Sequence, residues 1–242
     1  MLPTIIVVLI PFFGVAFFCH WLFYSFGKQY LNDLKIQSNF PQKQDFVREF
    51  CYSLSSSIVF IIVIYLMVFE PEISNKTLIY NKIEDFGVFY SFRSIIMIVI
   101  FHDAYFYWTH RLLHLPFFFR KVHKIHHQSH NPTPWTAFSF HPIEALINIA
   151  VFPILAFLIP IHKYILLAWW LWVVLGNILG HLGYDPLKRH LHRFPFNKFI
   201  MSSHHNLHHQ KSIVYFGFYF NFWDKIMKTN SFEYQKNKTN SI

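Results

Sequence analysis

Residues 101–141 read FHDAYFYWTHRLLHLPFFFRKVHKIHHQSHNPTPWTAFSFH and carry two histidine boxes. The first box is His110-Arg-Leu-Leu-His114, and the second is His123-Lys-Ile-His126-His127. Side chains that are three or four residues apart lie on one face of a helix, so each box is expected to aim its imidazoles at one point. The HxxHH pattern recurs at residues 205–209, within SSHHNLHHQ. Converging imidazoles predict metal binding, and the number of boxes predicts more than one ion.

The composition is that of a polytopic membrane protein. Hydrophobic residues make up 54% of the 242 residues and charged residues only 14%, whereas a soluble domain carries roughly 25% charged residues. The net charge of +9 is spread through segments beside apolar runs, which favours an anionic lipid surface over nucleic acid as the partner. The two cysteines, Cys19 and Cys51, both lie in apolar runs and predict neither a CxxC metal site nor a disulfide framework.

Apolar runs predict an all-α membrane bundle of about four spans. Residues 2–26, 50–69 and 86–108 are each long enough to cross a bilayer core of about 30 Å. The first run follows no basic n-region of a cleaved signal peptide, so we expect a retained span. The third helix is predicted to continue past the membrane and to carry the first box. Residues 145–159 and 164–182 are further apolar segments, for which a hairpin that dips into the membrane and returns is one arrangement.

Charge in the loops predicts the orientation of the chain. The loop after the first span is basic and the loop at 70–85 is acidic, so the positive-inside rule places both histidine clusters on the cytoplasmic side. The predicted organisation is 1–94 for N-terminal spans and loops, 95–230 for a domain with a cytoplasmic histidine-rich helical cap, and 231–242 for a disordered polar tail. A bacterial inner membrane and the endoplasmic reticulum are both open as locations.

Ligand type narrows the choice of metal. All-imidazole sites suit iron, zinc or copper, and the chain has no Glu-x-x-His pattern of the ferritin-like carboxylate sites. Eight or more histidines are too many for one ion and enough for two. Two redox-active irons beside a bilayer predict oxygen chemistry on a lipid C–H bond, with zinc as a substitute in purified protein.

The three boxes together resemble the fatty acid hydroxylase / sterol desaturase superfamily of membrane di-iron oxygenases. The resemblance covers about residues 95–230. It includes His141-Pro-Ile-Glu144, the stretch GHLGYD at 180–185, and residues 215–229, here called the closing segment, which contain the WD pair Trp223-Asp224. Only eight residues separate His114 from His123, whereas the first two boxes of membrane acyl-CoA desaturases lie a few tens of residues apart. The resemblance implies an enzyme that hydroxylates or desaturates an unactivated C–H bond of a sterol or fatty-acyl lipid. It also implies use of O2 and a separate electron donor, either a cytochrome b5-like protein or a ferredoxin with its reductase.

The resemblance further implies that eight histidines bind two irons, namely His110, His114, His123, His126, His127, His205, His208 and His209. His181 is the expected ninth ligand, because it lies at the cytoplasmic end of an apolar helix, where the bundle would meet the boxes. Some family members carry another ligand four residues before the position of His181, where this chain has Asn177. His204 or His141 is a candidate to fill that gap or to support a ligand from outside, and a helix cap is the alternative for His141.

Several interpretations stay open at this point. Asp103 and Asp224 are candidates to orient ligand imidazoles, with a cap or an ion pair as the alternative, and Trp223 is expected to pack. The aromatic residues near the boxes predict a substrate channel or packing at the membrane interface. A metal transporter or storage protein is the alternative function, although a transporter would place its ligands inside the spans. Among enzymes, sterol desaturation and oxidation of an ether lipid are alternatives to hydroxylation.

Overall fold

The computed structural model describes residues 1–187 and 195–230, and helices dominate this part of the chain. Its α-helices are α1 (Leu2–His20), α2 (Lys43–Val68), α3 (Pro71–Ser74), α4 (Gly87–Leu113), α5 (Pro116–Phe118), α6 (Lys124–His127), α7 (Pro142–Ile149), α8 (Val151–Leu158), α9 (Lys163–Gly180), α10 (Ser202–Lys211) and α11 (Phe222–Ile226). Two short strands are β1 (Ile79–Tyr80) and β2 (Ile161–His162). The tail predicted at 231–242 lies outside the described residues.

In the described ranges, four helices are long and apolar enough to cross a bilayer, and they confirm the predicted all-α polytopic membrane fold. They are α1 with its π-helical continuation to Phe26, α2, α4 and α9. The second span begins at Lys43 rather than at residue 50. The reason is a capping box, in which the Asp45 carboxylate accepts the Gln42 N–H at 3.0 Å and starts the helix inside the polar segment.

The connections divide the bundle into two ends. At one end β1 pairs in parallel with β2, with Ile79 opposite Ile161, so the loop after α2 lies beside the start of α9. The opposite end collects the C-termini of α1, α4 and α9 and the N-terminus of α2. The helical cap that contains the histidine boxes covers this second end.

The apolar stretch predicted at 145–159 forms α7 and α8, which together join the two ends of the bundle. Glu144, in the first turn of α7, contacts His123 in the cap. The carbonyl of Ala156, in α8, accepts the Leu78 N–H at 2.7 Å beside the strand pair. Pro153 lacks the N–H that a continuous helix would donate, which explains the break between the two helices. Helices α7 and α8 therefore cross the bundle from the cap end to the opposite end, and α9 crosses back. This differs from a hairpin in which the segments 145–159 and 164–182 enter the membrane only partway.

A buried 3-10 segment, Pro134–Phe138, ties the second histidine box to the spans. Polar side chains of two spanning helices hydrogen-bond its carbonyls. Ser53 Oγ–H donates to the Trp135 carbonyl at 2.7 Å, and Asn177 Nδ2–H donates to the Ala137 carbonyl at 2.8 Å. Because a buried carbonyl without a partner costs about 1–3 kcal/mol, these bonds hold the segment in place.

Candidate metal centre

Among the residues that the structure describes, nine histidines lie in two groups at the cap end of the bundle. The five-histidine group is His110, His114, His123, His127 and His208, and the four-histidine group is His126, His181, His205 and His209. In each group the nearest ligand atoms all lie within 4.8 Å of one another. The structure thus brings together the eight histidines that the family resemblance implies as ligands and His181, the expected ninth.

Each HxxHH box is divided between the two groups, which differs from the expectation that one box aims at one point. Histidines four residues apart share a group, as in the pairs His110/His114, His123/His127 and His205/His209. The remaining histidine of each HxxHH box belongs to the other group: His126 to the four-histidine group and His208 to the five-histidine group. Adjacent helical residues point about 100° apart around the axis, so His126 and His127 cannot face the same centre. Both groups are therefore built from more than one box.

Main-chain carbonyls fix the orientation of several rings. His208 Nδ1 lies 2.7 Å from the Val214 carbonyl oxygen. His110 Nδ1 lies 3.0 Å from the Phe216 carbonyl oxygen, and His181 Nδ1 lies 2.8 Å from that of Asn177. A carbonyl can only accept, so Nδ1 carries the proton in each ring. In a neutral imidazole the Nε2 atom then presents a lone pair, and that atom points into the centre of its group.

The Nε2 atoms of neighbouring histidines direct their lone pairs toward one another, as a bound cation would require. His126 and His181 both have Nδ1 near carbonyl oxygens, of Ser139 at 3.4 Å and of Asn177 at 2.8 Å. Their Nε2 lone pairs therefore face each other across 3.2 Å. Two lone pairs at that distance repel, and a bound divalent cation would relieve that repulsion. The donor set fits a metal ion that prefers imidazole ligands.

Burial keeps these imidazoles in the form that binds metals. It lowers the pKa of His181 to about 4, and it holds the pKa of His123 and His205 well below the ordinary value. Neighbouring imidazoles in the groups lower these pKa values further, because a second positive charge nearby is unfavourable. The rings are therefore neutral at pH 7, and metal binding need not displace a proton from them.

A carboxylate supports the five-histidine group from outside. His123 Nδ1 lies 2.7 Å from Glu144 Oε1, and both residues are 1% exposed. Hydrogen bonds from a ligand histidine to a carboxylate orient the ring and increase its basicity. Within the His141-Pro-Ile-Glu144 motif, His141 was the predicted site residue, whereas the structure places Glu144 beside the five-histidine group. Glu144 lies in the first turn of the helix that begins at Pro142, and a carboxylate at the start of a helix near the boxes was the available signal.

His141 and His204 both lie outside the two groups. His141 accepts the Ile143 N–H at 3.1 Å and caps α7, which is the alternative role considered for it. His204 accepts the Met201 N–H at 3.0 Å at the start of α10. At the position four residues before His181, the Asn177 side chain bonds a carbonyl of the 3-10 segment, as described above.

The two aspartates hold the closing segment rather than the imidazoles directly. Asp103 accepts the main-chain N–H groups of Tyr219 and Phe220 at 3.0 and 3.1 Å. Asp224 accepts those of Phe216 and Gly217 at 2.9 and 3.0 Å. Since carbonyls in 214–216 receive Nδ1–H groups of the histidines, the aspartates position ligands through the main chain.

Glycine and tryptophan complete the closing segment. A Cβ at Gly217 would lie 2.6 Å from the Phe220 carbonyl oxygen, which excludes any larger residue there. Trp223 packs against Tyr107 and Trp108, as expected of a packing residue.

Glu49 anchors the chain that leaves the second box. Its buried carboxylate accepts the Ser129 hydroxyl at 2.7 Å and also accepts the Thr133 hydroxyl. Glu49 was not among the predicted site residues. It lies one residue before the predicted apolar span 50–69, and an acid at that position was the available signal, because a buried charge needs partners.

An apolar cavity of about 580 Å³ opens between α4 and α9 and extends to the four-histidine group, where His181 and His205 form part of its wall. Two segments of the cap, 199–202 and 217–220, close its other side. A second, much smaller cavity of about 20 Å³ lies between the two histidine groups and is lined by residues of both. That volume is of the order of one water molecule. The arrangement gives an apolar ligand access to the four-histidine group of a candidate metal centre that is otherwise buried.

Comparison with known proteins agrees with this site. The sequence model of the family described as "Fatty acid hydroxylase" matches residues 95–229. A Delta(7)-sterol 5(6)-desaturase of Gibberella zeae is 33% identical over 160 residues, which are 64% of this chain and 48% of that protein. A rat protein named Lathosterol oxidase is 30% identical over 213 residues, 87% of this chain and 68% of that protein. The chicken Methylsterol monooxygenase 1 is 34% identical over 132 residues, 54% of this chain and 44% of that protein.

The chain spans about half the length of the fungal desaturase and of human Lathosterol oxidase, 48% and 50%. No solved structure matches it. The family match includes all nine clustered histidines and the aspartates that hold the closing segment. The chain therefore belongs to the fatty acid hydroxylase family, within the fatty acid hydroxylase / sterol desaturase superfamily.

Proposed function

We propose that this protein is a membrane-bound lipid oxidoreductase with two irons, which hydroxylates or desaturates an unactivated C–H bond of a sterol or fatty-acyl lipid. The observation that carries the proposal is the apolar cavity, whose wall includes His181 and His205 of the four-histidine group. The curated relatives support a lipid substrate, because their names include sterol desaturases, an oxidase and a monooxygenase.

The nine clustered histidines are the proposed metal ligands, in sets of five and four. Imidazole sites accept iron, zinc and copper; iron is proposed because the family chemistry is oxidative, with zinc as a substitute in isolated protein. When bound, the irons would supply the capacity to activate O2 for attack on a C–H bond. The chain itself would orient the ligand rings through Glu144 and the closing segment, and would exclude water from the lipid.

Electrons are proposed to come from a separate protein that docks on the cap. Arg120 and Lys121, between the first two boxes, and Lys124, inside the second box, are exposed at the end of the bundle that holds the proposed metal centre. Such a basic face suits an acidic cytochrome b5-like protein or ferredoxin, since opposite charges speed association and fix orientation. The same basic residues favour a cytoplasmic position for the cap.

A transporter would need a different arrangement. A transport site lies near the bilayer midplane, between spans, where an ion can be reached from either side. Here the two groups lie at one end of the bundle, and the cavity that reaches them is apolar. An apolar passage suits a lipid and would impede a hydrated ion.

The test combines metal content with lipid analysis. Protein from cells grown on iron-57 is purified in detergent, and its iron is counted and examined by Mössbauer spectroscopy. We expect two coupled irons per chain, and oxidised lipid in cells that express the wild type but not in cells that express His126→Ala. One iron or none in folded protein would contradict the proposed centre. Reduced metal uptake in the His126→Ala cells, with unchanged lipids, would favour transport instead.

A further inference from the structure

The apolar cavity contacts the two histidine groups unequally. Within the described residues, its wall includes His181 and His205 of the four-histidine group and no member of the five-histidine group. A lipid in the cavity therefore meets the four-histidine group. The part of the wall nearest to this group determines how closely the lipid can approach.

Two glycines of α9 belong to that part of the wall. Gly176 and Gly180 are one turn apart on the same face of the helix, and Gly180 directly precedes His181. A Cβ at Gly180 would meet no atom within 4 Å. A Cβ at Gly176 would meet the Phe218 ring at 3.7 Å, an ordinary contact distance.

Neither backbone conformation nor close packing explains glycine at these positions. In the part of the chain that the structure describes, the glycines with positive φ are Gly87 and Gly183, so Gly176 and Gly180 have conformations open to any residue. Glycine in a helix interior, as at Gly176, is destabilising relative to alanine. Both Gly176 and Gly180, the last residue of α9, have room for a methyl group. A larger side chain would instead remove cavity space beside His181.

We propose that Gly180, together with Gly176 one turn before it, determines how much of a lipid reaches the four-histidine group and so which lipids the protein accepts. The assignment rests on the proposed function, since it takes the cavity as the substrate site. A branched side chain at position 180 would displace the part of the lipid closest to His181. A rigid ring system should lose more binding than a thin acyl chain, because the chain can bend around the obstruction.

Photo-crosslinking measures how much lipid occupies the cavity, and it does not depend on enzymatic turnover. Wild type, Gly180→Leu and Gly14→Leu are placed in nanodiscs that contain a diazirine-bearing sterol, and metal content is measured on the same samples. Gly14 is the matched control, because it lies exposed on α1 and a Cβ there also meets no atom within 4 Å. Wild type and Gly14→Leu should crosslink in the cavity segments 99–106, 176–187 and 217–220. Gly180→Leu should lose those crosslinks by roughly tenfold, the discrimination that a small misfit causes in an apolar pocket.

Each outcome bears on the proposal. Equal crosslinking of Gly180→Leu and wild type in the cavity segments would overturn it, as would wild-type crosslinks confined to lipid-facing residues of the spans. If Gly180→Leu does not retain its metal, Gly180→Ala replaces it: a partial loss of crosslinks supports the proposal and an unchanged yield overturns it. Failure of the proposed function is distinguishable, because the wild type would then crosslink in the cavity and oxidise no lipid.

Discussion

His123 and Glu144 form a buried pair, with Nδ1 and Oε1 2.7 Å apart, that links the second histidine box to the start of α7. The second carboxylate oxygen, Oε2, has no hydrogen-bond partner among the described residues. Burial raises the pKa of Glu144 well above its ordinary value. A cation on the other side of the His123 ring would oppose that rise, since positive charge favours the carboxylate form. The pair therefore couples the charge of Glu144 to metal binding.

Replacing Glu144 with glutamine should weaken metal binding without removing a ligand. The amide oxygen of Glu144→Gln can still accept from His123, but the negative charge that increases the basicity of the ring is lost. We expect a fall in metal affinity of about 10- to 100-fold, the usual effect of changing such a partner. Competition with a chelator measures it, and Glu72→Gln, at an exposed position, is the control. Wild-type affinity in Glu144→Gln would remove the carboxylate from the metal centre.

Asp224 should matter for stability through the main chain it holds. Asp224→Ala leaves the N–H groups of Phe216 and Gly217 without their acceptor, and each buried unpaired group costs about 1–3 kcal/mol. We expect a lower melting temperature in detergent and earlier loss of metal on heating, because the Phe216 carbonyl orients His110. Asp85→Ala, at an exposed position, is the control. A melting curve that matches the wild type would exclude this role.

The metal-free protein should become less stable as the pH falls. The pKa of His181 is about 4 in the folded protein and about 6.5 in an unfolded chain. Between these values the unfolded chain binds more protons, so stability is complete above about pH 6.5 and decreases toward pH 4. Each such histidine contributes a slope of about 1.4 kcal/mol per pH unit within that window. Denaturation of chelator-treated protein from pH 8 to pH 5 measures the effect, and a flat profile would contradict it.

The sequence predicted the helical spans because an apolar run of membrane length specifies a spanning helix. The histidines of the three boxes were identified from their helical spacing and from the family resemblance, and His181, which belongs to no box, from its place at the end of an apolar helix. Helical geometry separates adjacent histidines, but which boxes combine in each group depends on where helices from distant parts of the chain meet, so spacing alone did not predict it. The same holds for Asp103, whose partners lie more than a hundred residues away in the closing segment.

Asn177 and His181, one turn apart at the end of α9, provide a matched test of ligand identity. His181 belongs to the four-histidine group, whereas the Asn177 side chain hydrogen-bonds the Ala137 carbonyl. We expect His181→Ala to lose metal from the four-histidine group and to retain metal in the five-histidine group. Asn177→Ala should keep the full metal content but lose about 1–3 kcal/mol of stability, because it leaves a buried carbonyl unpaired. Metal analysis and thermal unfolding of both variants separate the two effects. Loss of metal from Asn177→Ala in folded protein would instead make Asn177 part of the ligand set.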